Sequence, residues 1–240
     1  MPPLVDPYWE PLWSACEDLD LPLVIHTGQL SAPDRASYGT DPVTAIALGR
    51  LEGSYFSRRP FWHLIAAGVF DRHPRLKLCF VEIPVAALPG LLYEMDHYVQ
   101  VYPMAYGPPK HFKMLPSEYW AKHGFAAASL MNKHEAGLRH QIGVENLMFG
   151  ADYPHFEGSW PYTLQVQRHT LGGLPEHELR AILGGNAARC FGFDLVALQR
   201  HADRVGPTVE NLATPLPENE IPEFAPSFSF SPMPRSAAPA

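Results

Sequence analysis

NLMFGADYPHFEGSWP, residues 146–161, sets an apolar run, Leu147 to Phe149, in front of a carboxylate, Asp152, and an imidazole, His155. The run reads as a short buried strand. Pro154 has no backbone donor and fixes its own φ, so the strand cannot continue through it. Asp152 is then the first ionisable residue after the strand, and His155 follows three positions later.

Two other stretches repeat the pattern. In LPLVIHTG the run Leu21 to Ile25 ends at His26, and in LKLCFVEIP the run Leu76 to Val81 ends at Glu82. Helical spacing separates these strands. Trp9, Leu12, Trp13, Cys16 and Leu19 give a helix from about 8 to 19. FWHLIAAGVFDRHP reads as one helix, and Leu88, Leu91, Leu92, Met95 and Val99 mark another. Ser117 to Lys122 reads as a short helix and GFAAAS as a weak strand. Further helices fall around Tyr162 to Leu171 and Glu176 to Phe191, the second broken at Gly184-Gly185, with Asn186 placed as a cap. Gln29 to Pro60 reads as irregular, with a short helix at Val43 to Leu48. Strands alternating with helices, and strands apolar on both faces, predict an α/β protein with a mostly parallel sheet. In such folds the sites lie at the carboxyl ends of the strands.

Composition narrows the function classes. The net charge of -7 comes without a block of like charges, which excludes a dedicated nucleic-acid surface. The N-terminus MPPLVDPYWEPLW lacks the basic and apolar regions of a secretory signal, and no run approaches the roughly 18 apolar residues of a membrane span. Cys16, Cys79 and Cys190 form no C-x-x-C pair and fit reduced thiols in a cytoplasmic protein. One imidazole and two carboxylates at three strand ends suit a divalent cation, zinc first and manganese as the alternative. From Pro207 the last 34 residues hold eight prolines and little periodicity, so they read as a tail, disordered or draped over the surface. The domain expected is 1–206 and the tail 207–240.

LWSACEDLDLPLVIHTG, GVFDRHPRLKLCFVE, MFGADYPHFEGSWP and LGGNAARCFGF, in this order, resemble the amidohydrolase-related metal-dependent hydrolases. That branch of the amidohydrolase superfamily also holds aminocarboxymuconate semialdehyde decarboxylase and related decarboxylases. The resemblance runs from about Asp6 to Pro207. It implies a (β/α)8 TIM-barrel type of fold with the metal at its C-terminal mouth. His26 matches the metal-binding histidine at the end of strand five. Asp152 matches the metal-binding aspartate at the end of strand eight, which also takes a proton from the bound water. Glu82 stands where many members carry an acid–base histidine. His155 is then a substrate contact, a support for Asp152, or a loop histidine with neither role. Tyr153 and Trp160 read as packing residues.

The family's first strand carries a His-x-His pair, and none of the twelve histidines is followed by another two positions on. The expectation is therefore the C-terminal half of a barrel, strands five to eight. Such a chain is either a fragment or one that another chain completes, with a homo-oligomer also open. The implied activity is hydrolysis of a small organic substrate by a metal-activated water. Non-oxidative decarboxylation on the same scaffold is the alternative, and an inactive remnant or assembly subunit is the reading from a different class.

Overall fold

The computed structural model describes residues 2–27, 39, 41–106, 112–222 and 230. Gly28, the last residue of LPLVIHTG, lies outside them. The chain divides into two compact units, one of residues 1–83 and 90–125, the other of residues 84–89 and 126–240.

In the first unit, α1 (Glu10–Asp18) precedes β1 (Leu23–His26). α2 (Pro42–Phe56) follows, a fifteen-residue helix where the sequence predicts irregular chain and a short helix. Its signal is at its start: the Asp41 side chain accepts from Thr44 N at 2.7 Å, and Pro42 takes the first helical position. Its apolar residues follow no single stripe, and Val43, Ile46 and Leu51 are exposed, so periodicity does not reveal it. The single helix expected over FWHLIAAGVFDRHP is two, α3 (Arg59–Ala66) and α4 (Val69–Arg72). Gly68 parts them at φ 66, a conformation that suits glycine. β2 (Leu78–Val81) pairs in parallel with β1, Leu23 opposite Leu78 and His26 opposite Val81. α5 (Leu88–Val101), whose first two residues count with the second unit, and α6 (Pro116–His123) follow.

The core of this unit is aromatic. Trp120 is 1% exposed, lies edge-on to Phe61 and stacks on Phe80, both with centroids at 5.7 Å. A Cβ on Gly124 would meet the Trp120 ring at 2.3 Å, so only glycine lets the chain turn beneath the indole. Buried His123 stacks on Phe70 and donates Nδ1–H to Leu76 O at 2.8 Å; burial lowers its pKa and keeps it neutral. β1 is the less covered strand, with Val24 at its middle 50% exposed.

Charge fastens α1. Arg72 donates through Nε and Nη2 to the two Glu10 oxygens, both at 2.9 Å. His73 lies between Glu10 at 2.9 Å and Glu17 at 3.1 Å. The Arg72 bond, aided by His73, holds the Glu10 carboxyl down to about 2, against an ordinary 4.5. A carboxyl lowered on folding stabilises the fold above its unfolded pKa and loses that contribution as pH falls through its folded one. The docking of α1 should therefore weaken between pH 4.5 and about 2. Glu10 is 36% exposed, so solvent screens part of the effect. Acid titration followed by Trp13 fluorescence measures it. Arg72→Met should remove most of this pH dependence; an equally steep loss in that variant would show that Glu10 is not the group responsible.

In the second unit, β3 (Gly124–Ala128), which starts in the first, pairs in parallel with β4 (Leu147–Phe149), Ala126 opposite Leu147. α7 (Lys133–Gly137) and α8 (Arg139–Ile142) lie between them. Buried Glu135 serves as cap and clamp: Oε1 accepts from Val85 N at 2.9 Å, and its chain N is bonded to Asn132 Oδ1. α9 (Thr163–Leu171) and α10 (Glu176–Arg180) follow. Gly184-Gly185 does not break the helix as expected. A π-helical turn, Ala181–Gly185, carries α10 into α11 (Asn186–Phe191). Asn186 is not a cap either. It is helical, and its buried Nδ2 donates to Val144 O and Leu147 O, each at 2.7 Å, which ties the start of β4 to α11.

α12 (Leu195–Val205) is exposed throughout. Residues 207–222, read from the sequence as the start of a tail, begin with α13 (Val209–Ala213). Leu212 and Leu216 are buried, and Arg168 Nε donates to Thr214 O at 3.1 Å, so this stretch is docked. Most of the tail beyond lies outside the described residues. Among the described residues no helix is long and apolar enough to cross a membrane, and the three cysteines form no disulfide.

Candidate metal centre

His26 is the last residue of β1, and Glu82 is the first after β2. His26 Nε2 and Glu82 Oε2 are 2.5 Å apart, while His26 Nδ1 faces Thr27 O at 2.9 Å. A carbonyl can only accept, so Nδ1 carries a hydrogen, and Nε2 is the atom available to a cation or a proton. A histidine whose second nitrogen donates to a carbonyl is held in the orientation a metal requires.

In the second unit β4 stops at Phe149, three residues short of Asp152. Gly150 N makes a long last bond to Ala128 O at 3.4 Å, and Ala151 O turns instead to Ser159 N at 2.8 Å. The loop closes back on itself. His155 N bonds to Asp152 O at 2.9 Å and Gly158 N to His155 O at 3.1 Å. A Cβ on Gly158 would sit 2.7–3.0 Å from the carbonyl oxygens of Asp152, Ala151 and His155, so glycine alone allows the approach.

This loop brings donors together. His155 Nδ1 is 3.1 Å from Asp152 Oδ1, while Asp152 Oδ2 is buried with no hydrogen-bond partner. An unpartnered buried carboxylate oxygen costs free energy unless something positive meets it. Asp152, His155 and the buried Glu157 each present one ligand atom, and these atoms lie within 4.8 Å of one another. Two carboxylates and an imidazole at that spacing fit a divalent cation. Glu157 escapes the sequence reading; its only signal is an acid beside Gly158 in the loop that carries Asp152 and His155. Tyr153 and Trp160, read as packing residues, are 69% and 64% exposed and lie edge to face at 6.0 Å.

Backbone conformation marks the same acids. Glu82 has φ 57 and Asp152 φ 56, and Asp20 is the other non-glycine with positive φ among the described residues. For a side chain as long as Glu this costs on the order of 1–3 kcal/mol, and such strain concentrates where a side chain must be aimed.

Among solved structures, 5-carboxyvanillate decarboxylase from Sphingomonas paucimobilis is similar, with a TM-score of 0.63 and 29% identity, covering 79% of this chain and 55% of that one. A second 5-carboxyvanillate decarboxylase, from Novosphingobium aromaticivorans and complexed with manganese, has a TM-score of 0.64 at 19% identity, covering 79% and 53%. Gamma-resorcylate decarboxylase of Rhizobium radiobacter is 27% identical over 163 residues, 65% of this chain and 45% of the relative. The chain thus spans about half the length of the curated relatives it matches. These likenesses agree with an α/β fold of the (β/α)8 type. The Amidohydrolase family profile matches residues 1–193, and the chain belongs to that family, in the branch that holds these decarboxylases.

Proposed function

We propose that this chain carries the catalytic carboxylates of a divalent-metal-dependent carbon–carbon lyase, which removes carbon dioxide from a small aromatic or unsaturated carboxylic acid. The observation that carries it is Asp152, with one oxygen held by His155, the other buried and unpartnered, and Glu157 alongside. The reaction type is supported by the decarboxylases among the relatives.

His26 and Asp152 are the proposed metal ligands, with zinc or manganese as the metal; manganese is the one bound in a structural relative. His155 and Glu157 complete the acidic side. The cation would supply positive charge to orient the substrate carboxylate and its neighbouring oxygen. Glu82 moves the proton. As an acid–base group it can place a proton on the carbon that keeps the electron pair when the carboxylate leaves as carbon dioxide. His155 fixes the Asp152 carboxylate, and the loop closed by Gly158 holds both.

Hydrolysis is the second reading, favoured by the ability of Asp152 to accept a proton from water, with Glu82 as the other acid–base group. A single assay separates the two. The chain with added Mn²⁺ or Zn²⁺ is given 2,6-dihydroxybenzoate and 5-carboxyvanillate, then simple amide and lactone substrates. The expected result is metal-dependent release of carbon dioxide that chelation abolishes. Turnover of amides or lactones alone would favour hydrolysis, and no metal-dependent turnover with any substrate would favour an inactive member of the family.

A further inference from the structure

The first unit has a cavity of about 340 Å³ among α2, α3, α5 and the chain at Phe112 and Pro116. Its size suits a small molecule. Among the described residues, four of its lining side chains are aromatic, Tyr55, Trp62, Tyr98 and Phe112, and the one charged residue of the lining is Glu94. Tyr55 and Trp62 lie 6.0 Å apart at 52°, so their faces are inclined to each other. Tyr98 donates its hydroxyl to Glu94 Oε1 at 2.9 Å, which fixes the carboxylate at the wall. That carboxylate also raises the Tyr98 pKa and keeps the phenol neutral.

The chemistry of the lining selects among ligands. An anion would meet the Glu94 carboxylate and the negative faces of the rings. A neutral apolar molecule would fill the space but strip water from Glu94 without a counter-charge. A positive group attached to an apolar body satisfies both features, since aromatic faces attract cations and the carboxylate neutralises them. Tyr55 and Tyr98 remain 57% and 45% exposed, so a ligand can reach them.

We propose that this cavity binds a small organic ammonium ion, held over the rings of Tyr55, Trp62 and Tyr98 and countered by Glu94. It uses none of the residues assigned to the metal and stands or falls separately from the reading above.

The probe is choline, against its neutral isostere 3,3-dimethylbutan-1-ol, titrated into the unaltered chain by calorimetry. Choline should bind about tenfold or more tightly than the alcohol, as a cation over aromatic faces requires. Glu94→Gln keeps an acceptor for Tyr98 but removes the charge. It should weaken choline by roughly fivefold or more and leave the alcohol unchanged. Trp62→Leu should weaken choline similarly. Equal binding of the two probes would mark a merely apolar groove and overturn the proposal, and so would an absence of saturable choline binding in the millimolar range. The comparison of probes needs no variant, so a variant that failed to fold would not obscure the result.

Discussion

Asp152→Asn is expected to lower metal-dependent turnover by roughly 10²–10⁴-fold, the range for loss of a positioned acid–base group. It should also lower the affinity for Mn²⁺. The substitution keeps the shape: Asn Oδ1 can still accept from His155 Nδ1, so the loop retains that 3.1 Å contact. What it removes is the charge on a buried oxygen that no hydrogen bond satisfies. That unsatisfied oxygen penalises the metal-free fold, so the variant should melt close to the parent, and retained stability beside lost metal binding is the signature of a ligand. Electron paramagnetic resonance of added Mn²⁺, with melting curves taken alongside, checks both arms. Turnover within tenfold of the parent and unchanged Mn²⁺ affinity would remove Asp152 from the site.

Trp120→Ala should be the most damaging change to the fold, by about 3–5 kcal/mol. The indole is 1% exposed, stacks on Phe80 of β2 and meets the edge of Phe61 on α3, so its loss opens a cavity between a strand and a helix. Collapse cannot easily fill it, because Gly124 beneath the ring has no side chain to offer. That loss is a large fraction of the 5–15 kcal/mol that stabilises an ordinary domain. Since β2 ends beside Glu82, the His26–Glu82 pair should loosen with it. Urea unfolding followed by circular dichroism is the measurement, and a loss below about 1 kcal/mol would show that Trp120 is not a keystone of this core.

The candidate residues are legible in the sequence because a local pattern points to them. His26, Glu82 and Asp152 each follow an apolar run, and a strand's pattern lies within a few residues. Glu157 could not be found that way. It joins Asp152 and His155 because Ala151 O turns to Ser159 N and Gly158 packs on three carbonyl groups. α2 was also hidden, since its apolar residues make no stripe and only Asp41 and Pro42 announce it.

By itself the sequence determined the alternation of helix and strand, the α/β class and the acids at the strand ends, since each is written in the period of neighbouring residues. Tertiary structure decided which groups meet. Asn186 looks like a cap in its local context, yet it bonds to carbonyls at Val144 and Leu147, 42 and 39 residues away. The left-handed backbone at Glu82 and Asp152 is likewise invisible in residue type, because Glu disfavours it and only the surrounding fold can hold it there. Periodicity is local, whereas the partner of a buried polar group is whatever packing brings within reach.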